Sequence, residues 1–255
     1  MKPLILITND DGVSSRGLHH LVEVAQEYGD IVVMAPDHNA SGLSTSITTA
    51  RPLRIREVSQ GDGVAVYSCD GTPADCVKMG LEHFCPRKPD LVLSGINYGS
   101  NASINIIYSG TMGATYEASL RHIPAIAFSH GSISRNIDFT SCVPYIRDII
   151  ERALRNPDAL KDVCLNVNFP HDIDRFKGVK ITTTARGHWE NEYDHRIDPH
   201  GRDYYWLQGR YVSDNPDDHT TDFYWLRQGW ITVTPCQVDQ TAPQAINDIQ
   251  SLLNA

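Results

Sequence analysis

The chain has 255 residues, 41% of them apolar, and carries 22 lysine and arginine residues against 31 aspartate and glutamate, a net charge of −9. That size suits one large α/β domain or two small ones, and the acidic balance disfavours a nucleic-acid polymer as partner, since such binding rests on clustered basic side chains. No apolar stretch approaches the ~20 residues of a membrane-spanning helix, so a protein without membrane contact is expected.

Leu4-Ile5-Leu6-Ile7 is a short, continuous apolar run, the pattern of a strand covered on both faces, and it breaks at Thr8, Asn9 and Asp10, too early for a signal peptide. A helix follows from about Leu18 to Tyr28, with Leu18, Leu21, Val22 and Ala25 spaced by threes and fours and Gly29-Asp30 as its stop. Ile31 to Ala35 is the next strand, which completes a βαβ unit. Between Ser44 and Val66, period-two stretches such as Leu53, Ile55 and Val64, Val66 predict an antiparallel excursion. Thr72-Pro73-Ala74-Asp75 opens a helix to about His83, with threonine as N-cap and proline at the first helical position. Leu91 to Leu93 is a third core strand, Gly110 to Leu120 a helix, Pro124 to Ser129 a buried strand, Val143 to Ala153 a helix, and Cys164 to Asn168 another strand.

Beyond Phe176 the character changes. Lys180 to Thr184 and Tyr204 to Leu207 read as β segments around a polar stretch from Gly187 to Gly201, which predicts an extended hairpin arm that packs against another subunit. Trp230 to Thr234 is a last strand and Ala245 to Leu253 a closing helix. The expected fold is α/β: a Rossmann-like, three-layer αβα core with a mostly parallel sheet, in one domain. Its core covers about 1–175 and 229–255, and its arm about 176–228. The six cysteines, Cys69, Cys76, Cys85, Cys142, Cys164 and Cys236, form no CxxC pair, as expected of a reducing, cytoplasmic setting.

In an open α/β sheet the loops after the parallel strands converge on one crevice. Asp10 and Asp11 stand at the end of the first strand, where Gly12 lets the backbone turn. An Asp-Gly turn with solvated acids is the bland alternative; two adjacent acids at that position repel unless a cation lies between them. Ser41 and Asn97, after the second and third core strands, add neutral oxygens and make a hard-cation set of the Mg²⁺ or Mn²⁺ kind, although each residue alone also suits an N-cap or a turn. Asn39 either bonds a ligand oxygen or braces its loop. Ser109-Gly110-Thr111 opens a helix whose free amides and positive dipole end form an anion site, or an ordinary cap. Neither GxxxxGK[ST] nor GxGxxG is present, which leaves a metal and a monophosphate cradle. His188, His195, His200 and His219 lack metal-ligand spacing and suit surface or interface roles.

Ile7-Thr8-Asn9-Asp10-Asp11-Gly12, Ala35-Pro36-Asp37 through Asn39 to Ser41-Gly42, Gly71 to Val77, Ser94-Gly95-Ile96-Asn97 and Tyr108-Ser109-Gly110-Thr111 together resemble the SurE (survival protein E) nucleotidases. Leu165-Asn166-Val167-Asn168 and Thr232 to Pro235 extend the match, while Ala102 to Ile106 is more apolar than is usual there. The resemblance implies Asp10, Asp11, Ser41 and Asn97 as ligands of one divalent ion per subunit, and Asn39, Asn101, Ser109, Gly110 and Thr111 as the phosphate site. It also implies a homodimer or homotetramer joined through carboxyl-terminal arms. The expected activity is metal-dependent hydrolysis of nucleoside 5′-monophosphates, with 3′-monophosphates and short polyphosphate as further substrates. Asp10 and Asp11 would be catalytic, and either water or an aspartate would attack. A non-catalytic metal- and nucleotide-sensing module is the alternative.

Overall fold

The structure, a computed structural model, describes residues 2–171 and 175–254. In chain order its elements are β1 (Leu4–Thr8), α1 (Arg16–Ala25), β2 (Asp30–Pro36), β3 (Ile55–Gly61), β4 (Val64–Cys69), α2 (Pro73–Met79), β5 (Leu91–Tyr98), α3 (Gly110–Ser119), β6 (Ala125–His130), α4 (Val143–Arg155) and β7 (Cys164–Phe169). Then come β8 (Val179–Ile181), β9 (Gly187–Glu190), β10 (Tyr193–Ile197), β11 (Asp203–Leu207), β12 (Arg210–Ser213), α5 (Asp222–Arg227), β13 (Ile231–Cys236) and α6 (Ile246–Leu253).

Among the described residues one sheet runs β3-β4-β2-β1-β5-β6-β7-β13-β8. The six strands from β4 to β7 are parallel, whereas β3 and β13 run against their neighbours β4 and β7. Because side chains alternate across a strand, the run at β1 divides between two cores. Ile5 and Ile7 join Leu18 and Leu21 of α1 and Ile146 and Ile150 of α4 on one face. Leu4 and Leu6 join Val77 of α2 and Met112 and Ala118 of α3 on the other. Burial of each such aliphatic side chain stabilises the fold by about 1.5–3 kcal/mol, and the result is the expected three-layer αβα arrangement around a mostly parallel sheet.

Thr72 caps α2 as its sequence predicts: Asp75 N donates to Thr72 Oγ1 at 3.1 Å while Thr72 N donates to Asp75 Oδ2 at 3.0 Å. Helix α3 has no polar face. It is buried nearly all round because the loop carrying Ser44 covers the side away from the sheet, where Ser44 N donates to the Tyr108 carbonyl at 3.2 Å.

The carboxyl-terminal third departs from expectation in two ways. Lys180 belongs to β8, a three-residue edge strand that pairs in parallel with β13, so this segment is part of the main sheet rather than of the arm. The arm itself is one long hairpin in two sections, β9 with β12 and β10 with β11. A short helix, α5, follows it; Thr221 caps that helix by accepting from Tyr224 N. Tyr193, Ile197, Tyr205, Trp206 and Leu207 on the arm are exposed, and no residue of α6 is buried.

Candidate active site

The chain leaves β1 for β2 on one side and reaches β5 on the other, so the crevice outside the carboxyl ends of β1 and β5 is the switch point of the sheet. Three loops are stitched together there. Asn9 Nδ2 donates to the Gly12 carbonyl at 3.1 Å and to Ser15 Oγ at 2.7 Å, and Ser15 is the N-cap of α1. Gly12, at φ +101, makes the turn between them, a conformation that glycine adopts without strain. Ala40 N donates to the Asp10 carbonyl at 2.7 Å, which draws the loop after β2 against the first. Within that loop the Asn39 side-chain oxygen accepts from Ser41 N at 2.8 Å and Ser41 Oγ at 2.6 Å, so Asn39 braces Ser41.

Asp10 is 3% exposed and faces the start of α3. Thr111 Oγ1 donates to its Oδ1 at 2.8 Å and Thr111 N to its Oδ2 at 3.2 Å. Gly110 permits this approach, since a Cβ there would lie 3.0 Å from Asp10 Cβ. Burial, and after it the negative charge of Asp11, raises the Asp10 carboxyl from 3.8 to about 6 despite the Thr111 bonds. Asp11 is also raised by burial; an ion pair with Arg135, Nη1 to Oδ1 at 2.7 Å, offsets part of that, and Tyr98 N donates to Oδ2 at 3.3 Å. The Arg135 guanidinium lies 4.7 Å from the centre of the Tyr98 ring. Nothing in the sequence singled out Arg135. The rule that loops after parallel strands converge applies to the loop after β6 as well, and would have drawn attention to a cation in it.

Asn97 ends the irregular stretch of β5, where pairing with β6 shifts between Ser94 and Asn97, and its Nδ2 donates to the Gly99 carbonyl at 2.8 Å. Asn101 is held from below: Nδ2 donates to Ser129 Oγ at 2.8 Å, its amide N to Asn168 Oδ1 at 2.8 Å, and its carbonyl accepts from Asn166 Nδ2 at 2.9 Å. Asn166 and Asn168 stand two apart on one face of β7, and this explains the Asn-x-Asn pattern there.

A cleft of ≈ 210 Å³ opens over these groups, lined by Asp10, Ser41, Asn97, Asn101 and Ser109 among the expected residues, with Asn105, Tyr108 and Trp189 as additions from the loop before α3 and from the arm. The other expected residues stand one contact behind it. Asn39 holds Ser41, Gly110 and Thr111 hold Asp10, and Asp11 accepts from Tyr98 N, whose residue lines the cleft. Ser109 Oγ caps α3 by accepting from Met112 N at 3.1 Å. Among the described residues no three His, Cys, Asp or Glu side chains gather as a metal cluster. The donor set at the cleft is thus one carboxylate, Asp10, with neutral oxygens and with Asp11 one contact behind, which suits a hard, partly hydrated cation better than a zinc-type site.

The model of the family "Survival protein SurE" matches residues 5–191 of the chain. The chain is 46% identical over 253 residues to the 5′-nucleotidase SurE of Christiangramia forsetii, covering 98% of this chain and 96% of the relative. It is 42% identical over 250 residues to the 5′-nucleotidase SurE of Phocaeicola vulgatus, again at 98% and 96% coverage. The crystal structure of the SurE protein of Aquifex aeolicus superposes with a TM-score of 0.83 at 35% identity, covering 98% of this chain and 100% of that one. The ordered motifs, the doubly wound sheet and these full-length likenesses agree, and the chain belongs to the SurE family.

Proposed function

We propose that the chain is a divalent-metal-dependent phosphomonoesterase that hydrolyses nucleoside 5′-monophosphates to nucleoside and phosphate, the activity for which its relatives are named. The observation that carries this reading is the buried Asp10–Asp11 pair at the switch point, with the start of α3 against Asp10. The pair fits a cation: each carboxylate is raised by burial, Asp11's charge adds to the strain on Asp10, and a positive ion relieves both. Asp10, Asp11, Ser41 and Asn97 would hold one Mg²⁺ or Mn²⁺ per subunit. When bound, that ion supplies Lewis-acid charge to a phosphate oxygen and lowers the pKa of water.

The chain's own groups do the rest. Thr111 fixes Asp10 so that its carboxylate orients the attacking water, while Ser109, Asn101 and the start of α3 receive the phosphate, with Asn39 supporting Ser41 and Gly110 allowing close contact. A P–O bond forms from water as the bond to the nucleoside oxygen breaks, and the water's proton ends on the departing hydroxyl. The exposed apolar arm and α6 suit contact with further copies of the chain, as a homodimer or homotetramer. Six free cysteines suit a reducing, cytoplasmic setting. No helix among the described residues is long and apolar enough to cross a membrane.

The test is phosphate release from 5′- and 3′-nucleoside monophosphates after chelation, and again with Mg²⁺, Mn²⁺ or Zn²⁺ restored. Release restored by metal is expected; nucleotide binding without release would instead support the sensing module. Arg135 adds a second expectation, because its guanidinium occupies the Asp11 oxygen that a cation would need. Arg135→Gln should tighten Mn²⁺ binding by about two- to fivefold, the scale of a half-exposed ion pair. Calorimetric titration of the two proteins checks it, and an unchanged affinity would mean that Arg135 does not compete with the metal.

A further inference from the structure

The cleft over Asp10 has room for a phosphate and leaves the rest of a nucleotide unplaced. On its arm side a second cavity, ≈ 540 Å³, shares Asn105, Tyr108 and Trp189 with it and continues past Glu192, Tyr193 and Gln208. A molecule whose charged end lies against Asp10 and Ser109 can extend its other end along this shared wall into the larger space.

The wall is already ordered. Trp189 Nε1 donates to Asn105 Oδ1 at 3.1 Å, which ties the arm to the turn before α3. The indole also meets Tyr211 edge-on, with centroids 6.4 Å apart, and the Tyr211 hydroxyl donates to the Arg186 carbonyl at 2.9 Å. With its N–H committed and its position fixed, what Trp189 offers a ligand is its π-face. Tyr108, 56% exposed, leaves further aromatic surface in water beside it. Such rings stack on nucleobases whatever the base. Selectivity has to come from the polar groups. Gln208 N donates to the Glu192 carbonyl at 2.7 Å and keeps those two residues together at the bend of the hairpin. Guanine carries two adjacent N–H donors on one edge, the pair that a carboxylate accepts with both oxygens, whereas the other common bases do not.

We propose that this cavity is the nucleobase site, with Trp189 as its stacking platform and Glu192 as the group that selects guanine. The proposal rests on the nucleotidase reading for its substrate and on the cavity for its residues.

The experiment compares kcat/KM for GMP, AMP and the ringless glycerol 2-phosphate in the wild type, Trp189→Ala, Trp189→Phe and Glu192→Gln, each with saturating Mn²⁺. Trp189→Ala is expected to lower kcat/KM for GMP about ten- to a hundredfold, mostly through KM, and to lower it far less for glycerol 2-phosphate, which has no ring to stack. Trp189→Phe loses the same bond to Asn105 but keeps a ring, so it should recover most of the loss. Glu192→Gln should remove a preference for GMP over AMP. An equal loss on all three substrates, no recovery by phenylalanine, or an unchanged GMP to AMP ratio in Glu192→Gln would overturn the proposal. If the wild type releases no phosphate from any of them, the nucleotidase reading fails by itself. Guanosine binding then decides the base site: quenching of indole fluorescence that disappears in Trp189→Phe supports it, and the absence of quenching in the wild type overturns it.

Discussion

Asp10→Asn should abolish phosphate release, a loss of about 10³-fold or more, and at the same time stabilise the metal-free protein at neutral pH. The second effect follows from the position of the carboxyl. A rise from 3.8 to about 6 means that at pH 7 the folded protein holds a charge it would rather not hold, at a cost of about 3 kcal/mol. Asparagine has nearly the same shape without the charge. It keeps an oxygen for Thr111 but brings an amide group toward the second Thr111 donor, so a gain of about 1–3 kcal/mol is the reasonable expectation.

The pH dependence separates this explanation from better packing. Below about pH 4 Asp10 is protonated in both folded and unfolded chains, and the variant gains nothing from the lost charge. Between about 4 and 6 the folded protein retains a proton that the unfolded chain releases, so wild-type stability falls as pH rises. Above 6 the full difference is present and level. Denaturant melts of both proteins in chelator from pH 4 to 8 should show a gap that opens over that window, and a gap of constant size would show that ionisation of Asp10 is not its source. Added Mn²⁺ at pH 7.5 should raise the midpoint of the wild type and leave the variant nearly unmoved, because ligand binding to the folded state alone stabilises it by mass action. Activity and stability therefore pull Asp10 in opposite directions, as strained groups at a working site do.

What could be read from the sequence tracks how much of each element is buried on a regular pattern. β1, β2 and β6 are covered on both faces and announce themselves as apolar runs, and α1 and α4 carry one apolar face each. α3 has no such face, yet the stretch from Gly110 to Leu120 still reads as helical, with Ser109 and Gly110 marking its start. β8 has three residues at the sheet edge with two of them exposed, so it leaves no burial signal that separates it from the arm. α5 has six residues rich in aromatics, too short for a helical period and easily taken for a strand. At the site, Asp10, Ser41, Asn97 and Ser109 were legible because strand ends converge in this fold class. Thr111 was expected to hold phosphate; it is wholly buried with both donors on Asp10, and we assign it the positioning of that carboxylate. Arg135, Asn105 and Trp189 reach the site through loop and arm contacts that no local pattern encodes.

Asp222→Ala should be strongly destabilising, although the sequence singles out no role for Asp222 within the arm. Its side chain is fully buried and accepts four bonds: from Ser103 N at 2.8 Å, Ser103 Oγ at 3.2 Å, Ala185 N at 3.0 Å and Phe223 N at 2.7 Å. Three segments meet on it: the start of α5, the chain just before the arm, and the turn before α3. Ser103 has φ +57, a backbone state that costs a serine energy and persists only where its surroundings impose it. Removing the carboxylate leaves three backbone amides and a hydroxyl without that partner, and with partial rescue by entering water the loss should be about 3–5 kcal/mol. The consequence reaches the site, because Ser103 begins the turn Ser103–Ile107 that carries Asn105, and Asn105 holds Trp189. Urea melts should report the stability loss. Kinetics well below the new midpoint should then show a larger rise in KM for a nucleotide than for the ringless glycerol 2-phosphate, since Asp10 and Asp11 keep their own partners. An Asp222→Ala protein with wild-type stability would show that water replaces the carboxylate and that Ser103 holds its conformation without it.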